Sequence, residues 1–402
     1  MEKILAEIEI LARQMEDEVI ALRRDFHMHP ELSHEEERTA RVVAGHLRDL
    51  GLEVTTGIAG HGVVGKLTGA RPGQAVAWRA DMDALPLKEK VEVPWRSRTP
   101  GVMHACGHDF HLAVALGAAR LLSRLKDRLA GEIRFIFQPA EEAPKDGTSG
   151  APGMVAAGVL DNPRVAAVAG LHVAPNLEAG HVRYHREEVM AGACHLTLTV
   201  IGKPAHGATP HRGVDPILVS AQALGLIQSF LAQRIDARHP VVLTFGTISG
   251  GSRFNILADK VVLEGSLRYL QDGVRREVEE GLNRKFAGLA LATGARIELE
   301  ARPIYPVLRN DPRLTDQAVA VLRRVLGPER LKSHFPAMGS EDFSYFAAQV
   351  PAFYFFLGVK PPGKKPQALH SPHFNPDEAA LTWGLKAAAG LMAGLSEPEF
   401  PF

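Results

Sequence analysis

The sequence predicts an α/β protein: a mixed, largely parallel sheet flanked by helices, interrupted by an inserted ferredoxin-like β-α-β-β-α-β domain. Three observations carry this. Short apolar strands alternate with helical patterns up to about residue 190, the rhythm of a parallel sheet with helices on its faces. Polar residues recur at strand ends, in Arg79-Ala-Asp-Met-Asp83, in Gln138-Pro-Ala-Glu-Glu142 and at His172, where open α/β sheets place their sites. Beyond about residue 190 the order becomes β-α-β-β-α-β. The expected division is a main domain of residues 1–188 and 304–402, with a second domain of residues 189–303 inserted.

Residues 3–24 read as one amphipathic helix, with Ile4, Ile8, Leu11, Met15, Val19 and Leu22 on a stripe. Pro30 breaks it, and Ser33 with Glu36 resembles a capping box for a helix running to Leu50. Val63–Leu67 and Ala75–Trp78 read as strands. A loop with five potential ligands, His104, Cys106, His108, Asp109 and His111, then enters a helix carrying Leu112, Ala115, Leu116, Ala119 and Leu122 on one face. Glu132–Phe137 and Val165–Leu171 are the next strands. In the insert, strands are expected at Cys194–Val200, Val241–Ile248, Lys260–Leu267 and Arg296–Glu300. Helices are expected at about Asp215–Arg234 and Val274–Thr293. A buried strand, Ala352–Leu357, and an apolar helix, about Asp377–Leu395, close the chain.

The length of 402 residues exceeds one simple core, and 46% hydrophobic content indicates a globular chain. Lys plus Arg and Asp plus Glu both number 46, so no basic excess points to nucleic acid or an anionic membrane. No apolar run approaches the roughly 20 residues of a membrane span. The acidic, amphipathic N-terminus is unlike a signal peptide. Two cysteines, Cys106 and Cys194, offer no disulfide framework, so a reducing, cytoplasmic setting is expected.

Cys106-Gly-His108 pairs a soft ligand with an imidazole just before a helix N-terminus, where the dipole favours a thiolate. That suits zinc or a neighbouring transition ion better than calcium or magnesium. Glu142, His172 and His370 are the best further ligands, and five such groups could hold two ions sharing a bridge. Glu141 stands beside Glu142. Adjacent side chains at a strand end diverge, which leaves Glu141 as the general base and later the general acid.

These motifs resemble the dinuclear-metal amidohydrolases that include bacterial aminoacylases, hippurate hydrolases and plant auxin-conjugate hydrolases. Their wider clan holds glutamate carboxypeptidase-like metallopeptidases. The resemblance rests on His27-Met-His-Pro-Glu-Leu-Ser, Arg79-Ala-Asp-Met-Asp-Ala-Leu-Pro, Met103-His-Ala-Cys-Gly-His-Asp-Phe-His and Phe137-Gln-Pro-Ala-Glu-Glu. It continues through His172-Val-Ala-Pro, Gly202-Lys-Pro-Ala-His-Gly-Ala-Thr-Pro-His, Met338-Gly-Ser-Glu-Asp-Phe and Leu369-His-Ser-Pro, and so covers essentially the whole chain.

The resemblance implies two divalent transition-metal ions (Zn, Mn, Co or Ni) on Cys106, His108, Glu142, His172 and His370, with Glu141 as base. It implies that Asp83 orients a ligand from behind. The insert becomes a lid and dimerisation domain whose His206 reaches the partner subunit's site to hold the oxyanion. Asn255 and Arg268 become substrate-side residues. The expected reaction is hydrolysis of N-acyl amino acids by a homodimer or higher homo-oligomer. A metallo-carboxypeptidase or dipeptidase is the rival, and a non-catalytic small-ligand binder on the same fold is a third reading, opposed by the intact ligand set. One departure stands out: the stretch Ala143-Pro-Lys-Asp-Gly-Thr-Ser-Gly-Ala151 is longer than the family's usual Gly-rich loop and puts substrate preference in question.

Overall fold

The computed structural model describes residues 1–142 and 149–398. Most of the long loop after Glu142 therefore lies outside the described residues. The chain packs as two compact units. One is Met1–Val189 with Leu308–Phe335 and Asp342–Phe402; the other is Met190–Val307 with Pro336–Glu341. The short segment Pro336–Glu341, expected within residues 304–402, groups with the inserted unit.

In chain order the strands are β1 (Glu53–Ile58), β2 (Gly62–Thr68), β3 (Arg71–Asp81), β4 (Ala130–Gln138), β5 (Ala167–Glu178), β6 (Val182–Tyr184) and β7 (Glu188–Met190). They continue as β8 (Gly192–Ile201), β9 (Val241–Gly250), β10 (Lys260–Tyr269), β11 (Arg296–Tyr305), β12 (Leu308–Arg309), β13 (Leu331–Ser333) and β14 (Ala352–Lys360). The helices are α1 (Glu2–Gln14), α2 (Glu16–Met28), α3 (Glu37–Asp49), α4 (His108–Arg124), α5 (Gly150–Ala156), α6 (Pro216–Arg234) and α7 (Asp272–Thr293). The last are α8 (Pro312–Leu326), α9 (Ser344–Ala347) and α10 (Ala380–Leu395).

The helix expected over residues 3–24 is two helices, because Met15 leaves helical geometry at φ −97°, ψ 3°. The Ser33/Glu36 capping box is also absent. No side chain caps α3; the Ser33 hydroxyl donates to Asp83 at 2.6 Å, and Glu36 accepts the Ala140 N–H at 2.7 Å. Buried partners near the site outcompete the exposed helix end for both groups.

The first unit's sheet runs β1-β2-β4-β3-β5-β14-β6-β13. Its centre, β4-β3-β5-β14, is parallel, while β1, β2 and β6 add antiparallel pairs. From β3 the chain passes through α4 to β4 on one side, and later places β5 on the other. The N-terminus of α4 thus opens at the point where strand order reverses, the crevice in which open α/β sheets bind ligands. Pairing of β3 with β5 ends at Arg79 and Gly170, whereas β3 and β4 stay paired to Asp81 and Gln138. The sheet therefore splits at its centre. His172 was expected to end its strand; instead β5 runs on to Glu178, because β14 continues to pair with it through Ala174. Both faces are covered: Trp78, Phe135, Leu171 and Phe355 are fully buried, in one core with α4 and α10.

The second unit is a four-stranded antiparallel sheet, β11-β8-β10-β9, with α6 and α7 on one face, in the β-α-β-β-α-β order read from the sequence. Its core joins Leu196, Leu198 and Leu263 to Ile227, Phe230 and Phe286. The last strand extends beyond the expected Glu300 to Tyr305. Contrary to the sequence reading, α6 is, at 19 residues, long and apolar enough to span a membrane by composition alone. Here one stripe of it, including Val219, Ala223 and Ile227, packs on its own sheet, and Asp215 caps its N-terminus.

Candidate active site

The split in the sheet gathers the first unit's expected ligands. Gly107, at φ +92°, turns the chain so that Cys106 stays in the loop and His108 opens α4. Only glycine fits there, since a Cβ would lie 2.4 Å from Val173 Cγ2. The Cys106 sulfur sits 3.3 Å from His172 Nε2 and 3.4 Å from His370 Nε2. Glu142 Oε1 sits 3.2 Å from His370 Nε2 and 3.9 Å from His108 Nε2. Two triads result, Cys106/His108/His172 and Cys106/Glu142/His370, each with its donor atoms within 4.8 Å of one another. Cys106 belongs to both.

The surroundings aim these donors. His108 Nδ1 lies 2.9 Å from the Asp83 carbonyl oxygen, and His172 Nδ1 lies 2.8 Å from the Val173 carbonyl oxygen. A carbonyl can only accept, so both Nδ1 atoms carry a proton, and in the neutral rings that a metal binds both Nε2 atoms present a lone pair to the site. His108 Nε2 and Glu142 Oε1 are buried without an aligned hydrogen-bond partner. Buried polar atoms are rarely left so, and a cation would satisfy both. Burial, followed by the charges of Glu142 and Glu141, pushes the Cys106 thiol well above its ordinary value, so a thiolate here requires a nearby cation. One thiolate, three imidazoles and carboxylate oxygen make a donor set for transition ions. The residues therefore fit a pair of divalent metals.

Glu141 is nearly buried, and its carboxylate lies with the Glu142 carboxylate and a ring nitrogen of His108 in a third group within 4.8 Å. The two glutamates converge rather than diverge. Ala140, in the left-handed region at φ +52°, takes the chain out of strand geometry before they are reached. His370 is likewise left-handed, at φ +58°, and its N–H donates to the Ala105 carbonyl at 2.9 Å, which ties its loop to the residue before Cys106. Two non-glycine residues held in this region at one site are strained backbone fixed by its surroundings.

Asp83 lies behind the donors. Its side chain accepts from Ser33 at 2.6 Å and from the Glu142 N–H at 2.9 Å, while its Oδ1 stands 3.2 Å from His108 Nδ1. Glu36 is fully buried beside it; burial, then the Asp83 charge, raises its carboxyl to about 7. Sequence reasoning missed Ser33 and Glu36 as site residues, having assigned both to a helix cap. At the start of α4, Asp109 meets Arg23 and His27 at 2.8 Å each. Burial opposes ionisation of Asp109, but Arg23 and His27 hold its carboxyl far below the usual range.

His206, Asn255 and Arg268 belong to the second unit. His206 bridges to Ile256, and the Gly207 N–H donates to the Asn255 carbonyl at 2.8 Å, so His206 and Asn255 share one exposed turn system. Arg268 is half-buried on β10, bonded to Ser266 at 2.9 Å and to Ser340.

A largely parallel sheet whose crossover point carries two donor triads joined by one cysteine, with a glutamate beside them, has the donors and the base that a metal-dependent hydrolase needs. Comparison with known proteins agrees. The model of peptidase family M20/M25/M40 matches residues 77–393, and the chain belongs to this family. It is 38% identical over 96% of its length to thermostable carboxypeptidase 1 of Saccharolobus solfataricus, covering 97% of that protein. It is 39% identical over 80% of its length to an N-acyl-L-amino acid amidohydrolase of Geobacillus stearothermophilus, covering 87% of that protein. Among solved structures, a Bacillus subtilis protein described as a dinuclear metal binding peptidase from the M20 family superposes with a TM-score of 0.84 at 31% identity. That match covers 96% of this chain and 99% of the other.

Proposed function

We propose that this hydrolase cleaves the amide bond of N-acyl amino acids, such as acetyl or benzoyl derivatives, releasing a carboxylate and a free amino acid. The observation that carries this is the Glu141 carboxylate standing beside two donor triads that share Cys106. The triads would hold two divalent transition ions, Zn, Mn, Co or Ni, on Cys106, His108 and His172 and on Cys106, Glu142 and His370. When bound, the ions supply Lewis-acid polarisation of the amide carbonyl and lower the pKa of water. Glu141 takes one proton from the attacking water and passes it to the leaving amine as the C–N bond breaks. The burial of Glu141 keeps that proton from exchanging freely with solvent. Asp83 orients His108 and the Glu142 backbone. His206, supplied by a second copy of the chain, donates to the oxyanion, and Asn255 or Arg268 receives the free carboxylate of the substrate.

The assembly is a homodimer joined through the inserted unit. Supporting this, β9 is an edge strand, and Ile217, Leu218, Val242 and Ile248 are exposed on it and on α6. The cytoplasm is the proposed setting, where the buried thiols Cys106 and Cys194 stay reduced.

A carboxypeptidase reading is favoured by the relative of that name, and uses the same attack on an amide next to a free carboxylate. The deciding experiment loads the protein with each of the four metals and compares kcat/KM for acetyl- and benzoyl-amino acids with dipeptides of the same C-terminal residue. A preference of about tenfold or more for the acyl amino acids is expected. Preference for the dipeptides would replace this reading with the peptidase one.

A further inference from the structure

His111 lies in the ligand-rich stretch yet in neither donor triad that shares Cys106. We infer that His111 is a positioning residue that bridges the split between β3 and β5 and holds the His172 imidazole at its ion. The inference rests on the ligand set proposed above.

Its hydrogen bonds fix its chemical state. The Val173 N–H donates to His111 Nε2 at 3.1 Å. An N–H can only donate, so Nε2 is bare and the ring proton lies on Nδ1. Nδ1 meets Asp81 Oδ1 at 2.5 Å. Both ring nitrogens are thus engaged, and His111 has no lone pair left for a metal. Asp81 is held in turn by Arg79 at 2.6 Å, and Arg79 also reaches Asp342 at 2.7 Å and Gln138 at 2.8 Å. All of these side chains are buried, so the chain of contacts has little freedom to relax.

The place of this chain in the sheet gives it a purpose. Beyond Arg79 and Gly170, β3 no longer pairs with β5, and amides of β5 facing β3 lose their strand partner. His111 takes up the Val173 amide, and Asp81, the last residue of β3, takes up the other side of its ring. A side chain replaces the missing rung. Val173 then does a second task, because its carbonyl accepts the His172 Nδ1–H at 2.8 Å and so sets the ring whose Nε2 faces Cys106. One residue of β5 is gripped at its N–H by His111 and orients His172 with its C=O. Outer partners of this kind usually control metal affinity about 10–100-fold.

The two amide substitutions separate the tasks. In His111→Gln the amide oxygen can stand near the old Nε2 position and keep the Val173 bond. In His111→Asn the amide nitrogen can stand near Nδ1, which keeps Asp81 and releases Val173. Asp81→Asn, a second route, leaves one oxygen for two donors; with that oxygen on Arg79, the amide N–H faces His111 Nδ1 and reverses the tautomer. Metal-free proteins are titrated with cobalt(II) against a competing chelator, following stoichiometry and the thiolate-to-cobalt charge-transfer band, after thermal unfolding has confirmed that each variant is folded. The expected result is two ions in the parent protein. In His111→Asn and Asp81→Asn one ion weakens about 10–100-fold while the other keeps its affinity and the thiolate band; His111→Gln stays within a few-fold of the parent. Unchanged affinities in folded His111→Asn and Asp81→Asn would overturn the inference, as would equal weakening of both ions in all three variants, the mark of a general loss of structure. A parent protein that binds no cobalt would overturn the ligand assignment itself, and this inference with it.

Discussion

The two units solve the problem of polar groups in opposite ways. In the first, the central strands are buried on both faces, with Val76 to Asp81 and Ala167 to Ala174 hidden without a break. Charged groups sit among them, Arg79, Asp81, Asp83 and Asp342 each being at most 1% exposed, and each has a partner. In the second, β8 alternates buried and half-buried residues, and the outer strand β9 is largely exposed. Phe254 is fully exposed beside the exposed Asn255, and Ile248 is 60% exposed. The first unit buries its charged groups and pairs most of them within itself. The second leaves apolar and polar side chains open on its surface. Buried charge needs exact pairing, so the first unit tolerates little change, while the second is suited to meet something else.

Glu141→Gln tests the first half of that contrast most severely. The substitution keeps the shape of the residue but cannot take a proton, so a fall of about 10²–10⁴-fold in kcat is expected with metal content unchanged. Loss of a metal instead, by elemental analysis, would exchange the roles of Glu141 and Glu142.

His206→Ala probes the second half. Removing one oxyanion donor costs about 10²–10³-fold in kcat. Because the group is exposed on a unit with an open sheet edge, its loss should be repairable from another chain. Mixing inactive His206→Ala with inactive Glu141→Gln, under conditions that exchange subunits, should restore part of the activity. No recovery despite proven exchange would mean that His206 serves its own chain or is not catalytic.

Asp83→Asn sharpens the contrast within the first unit. Asp83 ties Ser33, His108 and the Glu142 backbone together, and loss of its charge should weaken metal binding about 10–100-fold. A chelator competition that shows no change would reduce Asp83 to a packing role.

What the sequence disclosed follows the same division. Cys106, His108, Glu142, His172 and His370 could be picked out as candidates because a cysteine, histidines and a carboxylate recur at loop and strand-end positions, and the fold brings them together. The β-α-β-β-α-β order was legible because a half-buried sheet alternates visibly. Ser33 and Glu36 were misread because a helix cap and a buried bond to a distant strand end look the same in sequence; only the fold brings Asp83 and Ala140 to them. His111 was visible as a residue but not as a bridge, since the rung it replaces exists only once β3 and β5 part. The extension of β5 past His172 was hidden for the same reason: it depends on pairing with β14, nearly two hundred positions away.

Glu36→Gln asks the smallest question, whether a buried acid without a partner cation burdens the first unit. Glu36 Oε1 accepts the Ala140 N–H, while Oε2 is buried with no partner. Burial and the Asp83 charge raise the group from 4.5 to about 7. The sign follows from linkage. Below pH 4.5 the group is protonated in both the folded and the unfolded chain, and it costs nothing. Between about 4.5 and 7 the unfolded chain ionises while the folded one retains its proton, so stability falls as pH rises, and the loss is complete about one unit above 7. The full loss is on the order of 3 kcal/mol. Glutamine keeps an oxygen for Ala140 and has no proton to lose. Urea unfolding of the two proteins should therefore differ by a constant at and below pH 4.5, and the variant should gain on its parent up to about pH 8, with activity at saturating metal little changed. Parallel stability curves across that range would show that Glu36 ionises normally, and that the pocket behind Asp83 is more polar than its burial indicates.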